Sequence, residues 1–149
     1  MGQGEILVQI SSEPRNFRVV RVTAEAAALA CGLNLDEAGQ VKLAVHEALA
    51  NVVNHGYMGR TDQPIWVKFC LQENGQRPSL TIVIEDQSET VDVAQIKSRP
   101  LHQIRPGGLG VHIIRTTMDQ VEYSRRPNGP GMCLRMCKFA KESCPPNEE

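Results

Sequence analysis

The chain has no surplus of positive charge. Its 16 Lys and Arg residues stand against 17 Asp and Glu, a formal net charge of −1 over 149 residues. That balance argues against nucleic acid or an anionic membrane surface as a partner. No apolar run approaches the ~20 residues that a membrane span needs. Residues 1–10 alternate polar and apolar and do not resemble a signal peptide. A cytoplasmic protein is therefore expected. Its five cysteines, Cys31, Cys70, Cys133, Cys137 and Cys144, contain no Cys-x-x-Cys pair. This excludes the common spacing of a zinc or redox site and predicts reduced thiols that fill the core. Internal repeats, low-complexity segments and charge-block linkers are also missing.

What remains fits a single globular domain. Residues 1–140 are long enough to bury one core. The tail from Lys141 to Glu149, KESCPPNEE, is expected to be solvated. Alternation predicts a strand over Glu5–Ile10. A helix is expected over Pro14–Ala30, with Pro14 in its first turn and Gly32 past its end. Asn34 is placed to cap a second helix running to about His55. Ile65–Leu71 and Ser79–Glu85 read as a hairpin around Glu73-Asn74-Gly75. Val91–Ile96 reads as a short helical turn and Ser98–Arg105 as a loop. Leu109–Met118 reads as a helix. Gln120–Arg125 and Met132–Phe139 read as a last hairpin around Pro127–Gly131. The order β-α-α-β-β-α-β-β predicts an α+β, two-layer sandwich with helices on one face of a mixed sheet.

Residues 41–57, VKLAVHEALANVVNHGY, hold the strongest functional signal. Helical spacing puts Glu47, Asn51 and His55 on one face, with Asn54 beside them. Leu43, Ala44, Ala48, Leu49, Val52 and Val53 cover much of the rest, a pattern expected of a buried helix. A carboxylate, a carboxamide and an imidazole in one row need partners there, since an unpaired buried polar group costs roughly 1–3 kcal/mol. His55 is read as a hydrogen-bonding group that closes the helix. His46 points about 100° away from Glu47 and is read as packing or partner surface.

Two further motifs follow. Residues 80–86, LTIVIED, read as a buried strand whose last residue, Asp86, is a hydrogen-bond acceptor at a pocket mouth. Residues 106–114, PGGLGVHII, set three glycines before an apolar helical run. Such a helix start is suited to anions. No Gly-Lys-Ser/Thr follows, so it is not a P-loop, and no strand leads into it as a dinucleotide fingerprint requires.

In this order, the three motifs resemble the Bergerat-fold (GHKL) ATPases, which include gyrase-type and histidine-kinase ATP-binding domains. The likeness is strongest to the anti-sigma-factor serine/threonine kinases. LAVHEALANVVNHGY resembles their N box, GGLGVHIIRTTMDQVEY their Gly-rich box, and GMCLRMCKF their last strand. The likeness spans roughly residues 6–139.

The resemblance implies ATP and Mg²⁺ as cofactors, and a reaction that phosphorylates an anti-sigma-factor antagonist. Glu47 is then the catalytic base and Asn51 the metal ligand. Asp86 accepts from the adenine amino group. The amides of Gly108, Leu109 and Gly110 hold phosphates, and Arg105 contacts the γ-phosphate. The expected partners are the antagonist and/or a sigma factor, and the first strand and first helix could supply a face for a homodimer. Ser88 and Thr90 stand where the family's acidic box has glycines, and Met132 where its last strand has Thr. These replacements motivate an alternative, a catalytically weak or purely protein-binding regulatory module. A detached sensor-kinase domain is the third reading, but the chain holds no His-bearing acceptor helix pair.

Overall fold

A computed structural model describes residues 3–73, 77–89 and 108–141. Strand β1 spans Gln3–Ser11. A 3₁₀ turn at Pro14–Asn16 leads into α1, Phe17–Ala30, so the proline sits in the turn ahead of the helix. Gly32, at φ +103°, takes the left-handed conformation just past the end of α1.

Helix α2, Leu35–Asn51, opens with a complete capping box. The Glu37 amide donates to the Asn34 side chain, and the Glu37 carboxylate accepts from the Asn34 amide. That carboxylate is buried and also accepts from the Lys141 amide at 2.8 Å, tying the helix start to the chain beyond the last strand.

The helix does not continue to His55 in α geometry. A π-helical turn, Val52–Gly56, follows Asn51, closed by the Tyr57 amide donating to the Val52 carbonyl. Five residues per closing bond replace four, so a spacing of four no longer returns to the same side. His55 therefore leaves the Glu47–Asn51 row. It is exposed and takes no hydrogen bond among the described residues, which corrects its expected role as a closing group. Leu43 is also exposed, because α2 buries one face only.

The remaining elements are β2 (Pro64–Gln72), β3 (Ser79–Asp86), α3 (Gly108–Thr117), β4 (Gln120–Arg125) and β5 (Met132–Phe139). The sheet order is β1-β2-β3-β5-β4, and every adjacent pair is antiparallel. The expected mixed sheet is thus corrected to an antiparallel one within the two-layer α+β sandwich. Two helices, not one, link β1 to β2, so β2 returns in the opposite direction. β4 does run along β3, but β5 inserts between them.

The core lies between the sheet and its helices. Ile65, Val67 and Phe69 of β2, Leu80, Ile82 and Ile84 of β3, and Leu134 and Met136 of β5 point inward. They meet Val20 and Ala24 of α1, Val41, Val45 and Leu49 of α2, and Ile114 of α3. Alanines at helix positions 24, 27, 28, 44 and 48 let the backbones approach closely. His46 belongs to the α1–α2 packing. Arg21 Nη1 lies 2.9 Å from its Nδ1, and Phe17 meets its ring edge-on at 6.3 Å.

Among the described residues no helix is long and apolar enough to cross a membrane. Cys31, Cys70, Cys133 and Cys137 are free thiols. Burial pushes the thiols of Cys31 and Cys133 up, which keeps them protonated and unreactive.

Candidate functional site

Helix α2 and its π extension form one side of the site. Glu47 and Asn51 lie on successive turns of α2, both half-buried, facing the start of α3. The glycine at 110 makes that approach possible. A Cβ on Gly110 would stand 2.9 Å from Glu47 Oε2 and 3.3 Å from both Nδ2 and Oδ1 of Asn51. The two side chains thus converge on one backbone point. Because both Asn51 atoms are equally near it, either amide orientation presents an oxygen there.

This donor pair suits a hard divalent cation. A carboxamide oxygen beside a carboxylate oxygen offers oxygen ligands only, and Mg²⁺ takes one or two protein oxygens while keeping phosphate and water ligands. No cluster of three or more His, Cys, Asp or Glu side chains fit for a metal occurs among the described residues. The start of α3, at Gly108, puts the positive end of a helix dipole at the same place. Leu109, in this first turn, is 44% exposed.

Asp86 forms the second part. It ends β3 with only 4% of its surface exposed. Its Oδ1 accepts from the Ser88 amide at 2.8 Å, the Ser88 hydroxyl at 2.6 Å and the Met132 amide at 3.3 Å. Its Oδ2 takes no hydrogen bond among the described residues. Gly56, at the end of the π turn, lies against this group. A Cβ there would be 3.8 Å from Asp86 Oδ2 and 3.2 Å from Ser88 Oγ. One continuous helix therefore reaches from Glu47 at one end of the site to Asp86 at the other. The nine steps from residue 47 to residue 56 correspond to a span on the order of 13 Å.

Two groups that the motifs did not flag hold this arrangement. The Tyr57 hydroxyl donates to the Pro64 carbonyl at 2.5 Å and accepts from the Gln87 amide at 2.8 Å. It joins the helix end, the start of β2 and the exit of β3. Burial pushes its phenol up, and the Asp86 carboxylate adds to that push. Gly131, at φ +129°, crosses directly over the backbone of Asp86. A signal for Ser88 was available, since a serine two residues after an aspartate is a frequent turn pattern. Tyr57 had none beyond its place after the helix-ending glycine.

The structure thus brings Glu47, Asn51 and Gly110 together, and places Asp86 in a separate, buried hydrogen-bonding group. Arg105, Thr90, the expected 91–96 turn, the 98–105 loop, the residues of the 74–75 turn and the tail beyond Lys141 lie outside the described residues. Lys138, not singled out by any motif, is buried and donates to the Thr117 carbonyl at 2.6 Å, closing the end of α3.

Comparison with known proteins matches residues 10–138 to the histidine kinase-like ATPase domain. The serine-protein kinase RsbW of Halalkalibacterium halodurans is 33% identical over 130 residues, covering 81% of this chain and 74% of that protein. The RsbW of Oceanobacillus iheyensis is 28% identical over 145 residues, covering 92% and 87%. The anti-sigma F factor of Clostridium beijerinckii is 28% identical over 140 residues, covering 91% and 95%. The chain belongs to the histidine kinase-like ATPase family, alongside serine-protein kinases and anti-sigma F factors.

Proposed function

We propose that this protein is an ATP-dependent serine/threonine protein kinase of a partner-switching pathway. The observation that carries the reading is the convergence of Glu47 and Asn51 on Gly110 at the first turn of α3. The first turn of a helix supplies free amides for phosphate oxygens, here from Gly108, Leu109 and Gly110. Glu47, beside them, is the general base. It takes the proton of a partner's serine or threonine hydroxyl as that oxygen bonds to the γ-phosphorus and the bond to the β-phosphate oxygen breaks, releasing ADP. Asn51 holds Mg²⁺, which neutralises phosphate charge when bound. Asp86 accepts from the adenine amino group, and Arg105 reaches the γ-phosphate.

The substrate is an anti-sigma-factor antagonist, and a sigma factor is the second partner, a reading supported by the names of the relatives. A homodimer fits the fold, since β1 is an edge strand with Leu7 71% exposed. A cytoplasmic location fits this chemistry, because sigma factors and ATP are found there. The test is transfer of labelled γ-phosphate to a candidate antagonist. Transfer that depends on Glu47 supports the reading. Binding of Mg-ATP without any transfer by the wild-type chain favours the regulatory module motivated by Ser88 and Met132.

A further inference from the structure

We propose that Ser88 is a positioning residue that makes Asp86 selective for a purine bearing an exocyclic amino group. The inference rests on the reading of Asp86 as the base-recognising group and adds a residue to it. Asp86 and Ser88 are both buried. All of the donors described at Asp86 act on one oxygen. Oδ1 takes the Ser88 hydroxyl at 2.6 Å, the Ser88 amide at 2.8 Å and the Met132 amide at 3.3 Å. A carboxylate oxygen offers about two lone-pair directions. Oδ1 is therefore saturated, and Oδ2 is the acceptor left for a ligand.

The hydroxyl is what distinguishes this turn. A glycine at 88 would supply only its amide. The serine adds a second, charge-assisted bond, the shortest of the three, and charge-assisted bonds are the strong ones. Because the hydroxyl proton points at Oδ1, it is not available to a ligand. The face offered by Asp86 is thus acceptor-only, with its rotation fixed. Gly56 keeps the space next to Oδ2 open, since a Cβ there would lie 3.8 Å from that oxygen and 3.3 Å from Ser88 Cβ. A 6-amino purine donates into such a site. A 6-oxo purine sets an oxygen against Oδ2 and is rejected, the larger penalty being the unpaired buried group.

The experiment compares binding of Mg-ATP and Mg-ITP to the full chain by calorimetry, with the melting temperature of the nucleotide-free protein alongside. Ser88→Ala is expected to weaken ATP about tenfold and ITP little, so that the ATP:ITP preference falls about tenfold. Its melting temperature should move by only a few degrees, because the amide bond to Oδ1 persists. Ser88→Gly is the second variant should the alanine protein not fold, with the same fall in preference expected. Asp86→Asn replaces the free acceptor with a donor and is expected to shift preference toward ITP. Unchanged preference in Asp86→Asn overturns the reading of Asp86 and this inference with it. A shifted preference in Asp86→Asn with an unchanged one in both Ser88 variants overturns the role of Ser88 alone.

Discussion

Gly110 stands so close to Glu47 that a methyl group on it would lie 2.9 Å from the Glu47 Oε2 atom. The clash falls on the far end of a flexible side chain, not on backbone. Gly110→Ala should therefore fold well, helped by the ~1 kcal/mol helix preference of Ala over Gly. The same methyl group pushes Glu47 and Asn51 away from the α3 start. Phosphoryl transfer is expected to fall at least ~10-fold, since small displacements of reacting groups are costly. A melting curve beside a transfer assay checks both halves. Full activity in a stable Gly110→Ala protein would remove this contact from the mechanism.

Glu47→Gln keeps the shape and removes the base. Mg-ATP affinity should stay within about threefold, while transfer to the antagonist drops by roughly 10²–10⁴-fold, the usual contribution of a general base. Equilibrium binding and single-turnover phosphorylation separate the two. Wild-type turnover by this variant would reassign the proton acceptor.

Gly131 is a structural hinge point for Asp86. At φ +129°, a Cβ would fall 1.8 Å from the Asp86 carbonyl oxygen and 2.7 Å from its carbonyl carbon. Both are backbone atoms of a paired strand and cannot step aside. Gly131→Ala is expected to lose about 3 kcal/mol or more, measured by denaturant unfolding. Gly129 tests the contrast. It shares a positive φ of +140° but has nothing within 4 Å of its Cβ position. Gly129→Ala should therefore cost less, about 1–2 kcal/mol from backbone strain alone.

Tyr123 sets an alkaline limit. Burial raises its phenol pKa from 10.0 to about 12, with the nearby Arg115 opposing the shift. Between pH 10 and about 12 the folded chain holds a proton that the unfolded chain has lost. Stability is therefore intact below pH 10 and falls as pH rises through that window. Tyr123→Phe should flatten this limb of the melting-temperature profile. At neutral pH the same variant should be neutral or slightly more stable, by up to ~1 kcal/mol, because the buried hydroxyl has no hydrogen-bond partner among the described residues. A thermal scan across pH 7–12 reads both effects. An unchanged slope would show that Tyr123 does not carry the alkaline loss.

The last hairpin and the second helix's cap were legible in the residues themselves. Gln120–Arg125 and Met132–Phe139 are strands at the expected bounds, because alternation and a Pro-Asn-Gly-Pro-Gly turn are local signals. Asn34 and Glu37 form the box that their spacing promises. Asp86 is a buried acceptor, as its place at the end of an apolar strand implies. His55 was misread because the shift to π geometry after Asn51 has no local marker. It widens the turn where Gly56 meets Ser88, a contact made across the fold.

The sequence by itself determined the periods and their ends: which runs are helices, which are strands, where glycine and asparagine stop or start them. These follow from backbone geometry and from bonds between near neighbours. Only the tertiary structure decided that β5 lies between β3 and β4, that Gly110 meets Glu47, and that the Met132 amide, 46 residues away, reaches Asp86 Oδ1. Such pairings arise when separate elements share one core, and no short stretch of the chain encodes them.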